Sequence, residues 1–177
     1  MAMNILFTAF KGKNNSSAIL LDKITGDKLY LTNSYVGLAK EINHLEQIYD
    51  VVLMFGLDKN LDNEIRIEKI AENDGDIIVT NFDTEKIKRY FEKRNIKCTV
   101  SNTSTKYLCN AAYYHMLKKE FHNVVFMHIP TLKNFGKNLF AELLKFTEML
   151  DKQNNSVIIT LLHKERGYNL CDMKQKE

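Results

Sequence analysis

One proline and seven glycines in 177 residues leave no stretch suited to a flexible linker, and no repeat or low-complexity block divides the chain. A single domain over residues 1–177 is the expectation, since that length is enough to bury a real core. Cysteine is scarce as well. Cys98, Cys109 and Cys171 are odd in number and widely spaced, which argues against a disulfide framework and fits a reducing cytoplasm. Long hydrophobic runs are missing too: residues 1–10 are apolar but lack a basic start and a small-residue cleavage site, and no later run reaches the ~20 residues of a membrane helix. Neither export nor a membrane is expected. The net charge of +3 is dispersed over solvated faces, and its densest cluster, Lys86, Lys88, Arg89, Lys93 and Arg94, lacks the concentrated stripe and the motif of a nucleic-acid reader. No nucleic-acid partner is expected.

What the chain does have is hydrophobic periodicity, with 45% of its residues apolar. Short apolar or β-branched runs at 3–7, 51–55, 97–101, 124–128 and 157–162 predict strands, with a small one at 28–31. Ile65 and Ile67 alternate with Arg66 and Glu68, so a strand there turns Glu68 away from its two isoleucines. Residues 77–79 are too short to assign. Helical spacing predicts helices over 16–24, capped by Asn15 or Ser16, and over 34–49, 83–94, 107–121 and 137–153. Strands that alternate with helices mean an α/β sandwich with a largely parallel sheet, because parallel neighbours need helical crossovers. The tail from about residue 170 is expected to fray.

The chemistry concentrates where a loop becomes a helix. Cys109 falls in the first turn of the helix over 107–121, where amides lack intrahelical acceptors and the macrodipole favours negative charge. A thiolate with a lowered pKa is the expectation, with the same amides free to receive an oxyanion. The spacing of Cys109, Ala112, Tyr113, Met116 and Leu117 equally suits an inert core cysteine, and the residues alone leave both readings open. His128 closes its strand, at the sheet end where ligands gather in α/β folds. A cysteine nucleophile needs such an imidazole to take and return a proton, and a third group to hold the ring. Glu68 can serve, or can be an exposed strand glutamate. Cys109, His115, His122 and His128 match no metal-ligand spacing, so no metal is expected.

At this point ordered motifs matter. Ser101-Asn102-Thr103-Ser104-Thr105-Lys106-Tyr107-Leu108-Cys109-Asn110 resembles the nucleophile segment Ser-Asn-Ser-Ala-Gly-Thr-Tyr-Val-Cys-Asn of the pyroglutamyl peptidase I family, the pyrrolidone-carboxylate peptidases. Phe126-Met127-His128-Ile129-Pro130 is similar to that family's Phe-Ile-His-Val-Pro, and Ile67-Glu68-Lys69-Ile70-Ala71-Glu72-Asn73 to its Glu-Arg-Val-Ala-Ile-Asn segment. Ile5-Leu6-Phe7-Thr8-Ala9-Phe10 is similar to its opening strand, with Asn15-Ser16-Ser17 where Asn-Pro-Ser is usual. The resemblance implies a triad of Cys109 as nucleophile, His128 as base and acid, and Glu68 as orienting carboxylate, with Phe10, Gly56, Leu57 and Tyr107 facing the substrate. It implies a cytoplasmic thiol exopeptidase that removes a pyroglutamyl group from N-terminally blocked peptides or small amides and needs no metal or cofactor. The fold it implies is the three-layer α/β/α sandwich with a largely parallel, mixed sheet, a phosphorylase/hydrolase-like architecture commonly assembled as homodimers or homotetramers.

The departures bear on substrate and rate. The family's Pro-Phe-Gly-Gly after the opening strand is Lys11-Gly12-Lys13 here, which removes half of an aromatic clamp on the lactam. Its Gln-Ala-Gly-Gly-Arg past Gly56 is Leu57-Asp58-Lys59-Asn60, and its arginine ten positions after the glutamate falls on Ile78. Loss of one preorganised charge donor costs about 10²- to 10³-fold in rate, so weak pyroglutamyl activity is the expectation. Three readings follow: a pyroglutamyl peptidase, a thiol amidase with a different N-acyl substrate, and a catalytically impaired binding homologue.

Overall fold

A computed structural model describes residues 4–119, 121 and 123–152. In chain order the elements are β1 (Ile5–Phe10), α1 (Ser16–Lys23), β2 (Asp27–Leu31), α2 (Tyr35–Asn43), β3 (Val51–Leu57), β4 (Glu64–Glu68), β5 (Ile70–Asn73), β6 (Asp76–Val79), α3 (Thr84–Glu92), β7 (Lys97–Ser101), α4 (Leu108–Leu117), β8 (Asn123–Ile129), a 3-10 turn at Leu132–Asn134 and α5 (Lys137–Lys152). A strand over 157–162, the tail from about 170, and Cys171, His122 and His163 lie outside the described residues.

Among the described residues, six strands form one mixed sheet in the order β2-β1-β3-β8-β4-β7. Every neighbouring pair is parallel except β4 with β8, so β4 and β7 run against the other strands. The central strands are apolar on both sides, as a sheet covered by helices requires. One face packs Val51, Leu53, Phe55, Ile65 and Ile67 against Leu20 and Leu21 of α1, Ile87 and Phe91 of α3, and Leu143 and Phe146 of α5. The other packs Val52, Met54, Val124 and Phe126 against Leu38 and Ile42 of α2 and Ala112, Tyr113 and Met116 of α4. The result is the expected three-layer α/β/α arrangement. Among the described residues, no helix is long and apolar enough to cross a membrane.

Local chemistry sets the ends of the helices. Asn15 caps α1 through its side-chain oxygen on the Ser17 amide, and Ser34 and Asp83 cap α2 and α3 in the same way. The helix expected over 34–49 is shorter: α2 stops at Asn43, where the Lys119 ammonium takes the carbonyls of Asn43 and Leu45. The unassigned residues 77–79 turn out to be the second strand of an antiparallel hairpin, β5–β6. Its turn places Asp74 at φ 50° and Gly75 at φ 83°, the double positive φ that a two-residue hairpin needs. Two members of the basic cluster have local partners: Lys88 on α3 pairs with Glu92, and Arg94, just past the helix, reaches Glu142 on α5 while stacking over Tyr90.

Phe91 is fully buried, 5.0 Å from Phe146 and 5.2 Å from Tyr90 between ring centroids, so it joins α3 to α5 beneath the sheet. Phe91→Ala is expected to cost about 3–5 kcal/mol of folding stability with an unchanged denaturant slope, measured by urea unfolding.

Candidate active site

Strand register brings the functional side chains to one face. In the antiparallel β4–β8 pair, Arg66 lies opposite His128 and Glu68 opposite Phe126. Residues two apart share a face, so Arg66, Glu68, Phe126 and His128 all project toward α4, while Ile65 and Ile67 enter the opposite core. Glu68 is thus turned away from its isoleucines as expected, and its Oε1 lies 2.7 Å from His128 Nδ1. Both residues are buried, at 5% exposure each. With Nδ1 engaged by the carboxylate, Nε2 is the ring nitrogen left for proton exchange.

Cys109 approaches from the helix layer. It is the second residue of α4, whose N-cap Tyr107 makes no side-chain bond to the first-turn amides. Gly56, the register partner of His128 on β3, makes room for it: a Cβ built on Gly56 would stand 3.0 Å from Cys109 Sγ and 2.5 Å from Phe126 Cζ. Only a residue without a side chain lets sulfur and ring both close over the sheet at this point. The strand exit after His128 is pinned by Ser16, whose hydroxyl donates to the Pro130 carbonyl at 2.5 Å.

Asn110, next to the cysteine, receives the Glu72 amide and donates to the Glu72 carbonyl at 3.0 and 2.7 Å, which joins α4 to the hairpin. Ser104 donates to the Glu72 carboxylate at 2.7 Å, and the Tyr35 hydroxyl donates to the Lys106 carbonyl at 3.1 Å, so the loop before α4 is tied on both sides. Tyr113 donates to the Glu68 carbonyl at 3.1 Å. The cleft enclosed by these groups is lined by Glu68, Ile70, Ser104, Thr105, Cys109, Asn110, Tyr113, Phe126 and His128. Its free volume beside the sulfur is about 10 Å³, roughly the space of one water.

Of the residues expected in the site, Cys109, His128 and Glu68 line this cleft and Gly56 underlies it. Phe10 is buried at the end of β1, Leu57 ends β3, and Tyr107 is 74% exposed ahead of α4; none of the three lines the cleft. Ile78 packs with the apolar residues beneath α4. A positive charge nonetheless stands at the site, supplied by Arg66. Its Nε donates to Glu68 Oε1 at 2.9 Å, and its Nη2 lies 2.8 Å from Asp58 Oδ2 and 3.4 Å from His128 Nδ1. Sequence reasoning missed Arg66 and Asp58 as site residues. The signal for Arg66 was its two-residue offset from Glu68 on one strand, whereas nothing local marks Asp58. Among the described residues, no group of three or more His, Cys, Asp or Glu side chains is placed to hold a metal ion.

The electrostatics correct one expectation. The Cys109 thiol is not lowered but pushed up to about 12: burial is the main cause, the Glu68 and Asp58 carboxylates add to it, and Arg66 and the residue's own amide only partly oppose them. A helix N-terminus favours a thiolate, but here desolvation and two nearby negative charges outweigh it. Cys98, buried on the other face of the sheet, is also raised to about 12, chiefly by burial. Burial likewise raises the Glu68 carboxyl, yet hydrogen bonds and charge from His128 and Arg66 win, and its pKa lies below the ordinary 4.5.

A carboxyl whose folded pKa is depressed stabilises the fold above its unfolded value and loses that contribution as pH falls through the folded one. Glu68→Gln is therefore expected to be less stable than the parent in urea melts at neutral pH, with the gap narrowing as pH falls below about 4.5. A gap independent of pH would contradict this assignment of the charge.

No protein-family model matches the sequence, and no curated protein matches it either. Solved structures do match. Pyrrolidone carboxyl peptidase from Thermus thermophilus superposes with a TM-score of 0.70 at 20% identity, covering 83% of this chain and 99% of that one. The Thermococcus litoralis pyrrolidone carboxyl peptidase gives 0.68 at 19% identity over 84% and 93% of the two chains. Pyroglutamyl peptidase I from Bacillus amyloliquefaciens gives 0.65 at 16% identity over 85% and 93%. The chain therefore has the fold of the pyrrolidone carboxyl peptidases, as its ordered motifs imply.

Proposed function

We propose that this chain is a divergent cysteine exopeptidase of the pyroglutamyl peptidase class, which cleaves an N-terminal pyroglutamyl amide through a thiol acyl-enzyme. The observation that carries the reading is the Glu68–His128 contact at 2.7 Å opening into the same cleft as Cys109. It occurs on a fold whose solved examples include pyrrolidone carboxyl peptidases.

The raised thiol pKa determines the order of events. Cys109 starts as a thiol, not a preformed thiolate, so His128 Nε2 takes its proton as sulfur adds to the exocyclic carbonyl. Glu68, held ionised, fixes the ring and stabilises the imidazolium that forms. The free amides of the first turn of α4 face the developing oxyanion. Collapse breaks the C–N bond, and His128 passes its proton to the leaving amine. Water, deprotonated by His128, then adds to the thioester; collapse breaks the C–S bond and releases the carboxylic acid, and His128 returns the proton to the Cys109 sulfur.

One observation favours a second reading, a thiol amidase with a different N-acyl substrate. The cleft holds about one water, its outer wall is the polar pair Ser104 and Thr105, and Phe10 is absent from its lining. A pyrrolidone ring enters only if the segment bound to Glu72 and Tyr35 moves aside, whereas a smaller acyl group requires less displacement.

Release of a fluorophore from a pyroglutamyl amide, run beside a panel of other N-acyl amides, tests both. Cleavage is expected to fall by about 10³-fold or more in Cys109→Ala and in His128→Ala, because the triad acts as a unit. Efficient turnover of another acyl amide, with none of the pyroglutamyl one, would select the second reading; no thiol-dependent turnover of any would refute both.

A further inference from the structure

The charges behind Cys109 form a chain that the triad alone does not account for. Asp58 sits on the loop after β3 and is itself fixed: its amide donates to the Ile129 carbonyl at 2.9 Å, and its carboxylate receives the Asn60 amide at 2.8 Å. Arg66 bridges that carboxylate and Glu68 with two different nitrogens. Its side chain is 25% exposed, against 14% for Asp58 and 6% for Glu68, so the guanidinium reaches from the rim of the site to a carboxylate buried in the cleft.

We propose that Arg66 is a positioning residue of the active site, which locks the Glu68 carboxylate against His128 and supplies from β4 the positive charge that offsets the Glu68 and Asp58 carboxylates. The proposal rests on the reading of Cys109 as nucleophile. Geometry favours it over a surface brace in two ways. A guanidinium carries its donors in a rigid fork, so simultaneous contact with Asp58 and Glu68 costs little entropy and fixes the orientation of both. Register then places the fork beside the imidazole, since Arg66 pairs with His128 across β4–β8 and its Nη2 lies 3.4 Å from Nδ1.

The titratable and charged groups of the site are His128 from β8, Glu68 from β4 and Tyr113 from α4, which line the cleft with Cys109, together with Arg66 from β4 and Asp58 from the loop after β3, which continue from Glu68, and Glu72 from β5, which is engaged by Ser104. Among the charged groups adjoining His128 and Glu68, Arg66 is the cation. Removing it leaves Glu68 and Asp58 unopposed, which disfavours thiolate and lets Glu68 protonate more readily.

The two partners of one ion pair then have opposite effects, and a brace would not behave so. Cys109 alkylation by iodoacetamide is followed between pH 7 and 10 by peptide mass mapping in the full chain, beside the pH profile of kcat/KM on a pyroglutamyl fluorogenic amide. At a fixed pH, Arg66→Met is expected to slow Cys109 alkylation about tenfold. Arg66→Lys, which keeps the charge, is expected to remain within about threefold of the parent. Asp58→Asn is expected to accelerate alkylation, and the acid limb of kcat/KM should move to higher pH in Arg66→Met alone. Slowing in both Arg66→Met and Asp58→Asn, or no change in either, would overturn the proposal. If Arg66→Met does not fold, a slow Arg66→Lys or an Asp58→Asn no faster than the parent would overturn it instead. The alkylation readout needs no substrate, so absence of pyroglutamyl cleavage in the parent would count against the substrate reading and leave the Arg66 result standing.

Discussion

The contact between Glu68 and His128 is the interaction on which the site depends, and it exists only because two strands of opposite direction meet in register. Among the described residues, β4 and β8 are the one antiparallel pair in a sheet that is otherwise parallel. That pairing sets Glu68 diagonally across from His128 on one pleated face. A slip of one residue would turn Glu68 into the core that now takes Ile65 and Ile67. The hydrophobic pattern that folds the sheet therefore also fixes the carboxylate on the imidazole. Burial of an ionised glutamate is costly, and two donors, Nδ1 of His128 and Nε of Arg66, converge on its Oε1 to offset that cost.

The other parts serve this pair. Gly56 leaves the space through which sulfur and the Phe126 ring approach the sheet, and the phenylalanine ring packs 4.9 Å from the imidazole, limiting its motion. Asn110 imitates a strand edge toward Glu72, so the helix that carries Cys109 is anchored to the hairpin that follows Glu68. Thr80, buried where the hairpin returns to the sheet, donates to the Val124 carbonyl and receives the Phe82 amide, which ties β6 to the base of the histidine strand. Cys109, His128 and Glu68 thus sit on three different elements, two of them paired in the sheet and the third tied to the hairpin through the Asn110 side chain.

Much of this was legible in the residues. Apolar runs and helical spacing gave the order of strands and helices, because burial on one face or two imposes a period that the chain cannot hide. The antiparallel β4 was readable in principle: residues 58–63 are too few for a helical crossover to a parallel neighbour. The β5–β6 hairpin went unassigned although Asp74-Gly75 is a strong hairpin signal, since four-residue strands carry too little alternation to stand out. Cys109 lies in a first helical turn, as its place in the sequence implies, but its thiol is raised and not lowered. The helix end is a local effect, while the carboxylates of Glu68 and Asp58 that outweigh it reach the thiol only through tertiary structure. Arg66 could have been paired with Glu68 by the two-residue period, but its clasp on Asp58 joins a strand to a loop and leaves no trace in spacing.

The proposed proton transfer needs one protonation geometry: the Glu68 carboxylate accepts the proton on Nδ1, which leaves Nε2 of His128 without one. Nitrogen-15 NMR of the histidine-labelled protein at neutral pH reads this tautomer directly. The expected result is a proton on Nδ1, protected from exchange in the parent and exposed in Glu68→Gln. A His128 ring protonated at Nε2 in the parent would contradict it, because that nitrogen could not then take the proton of Cys109.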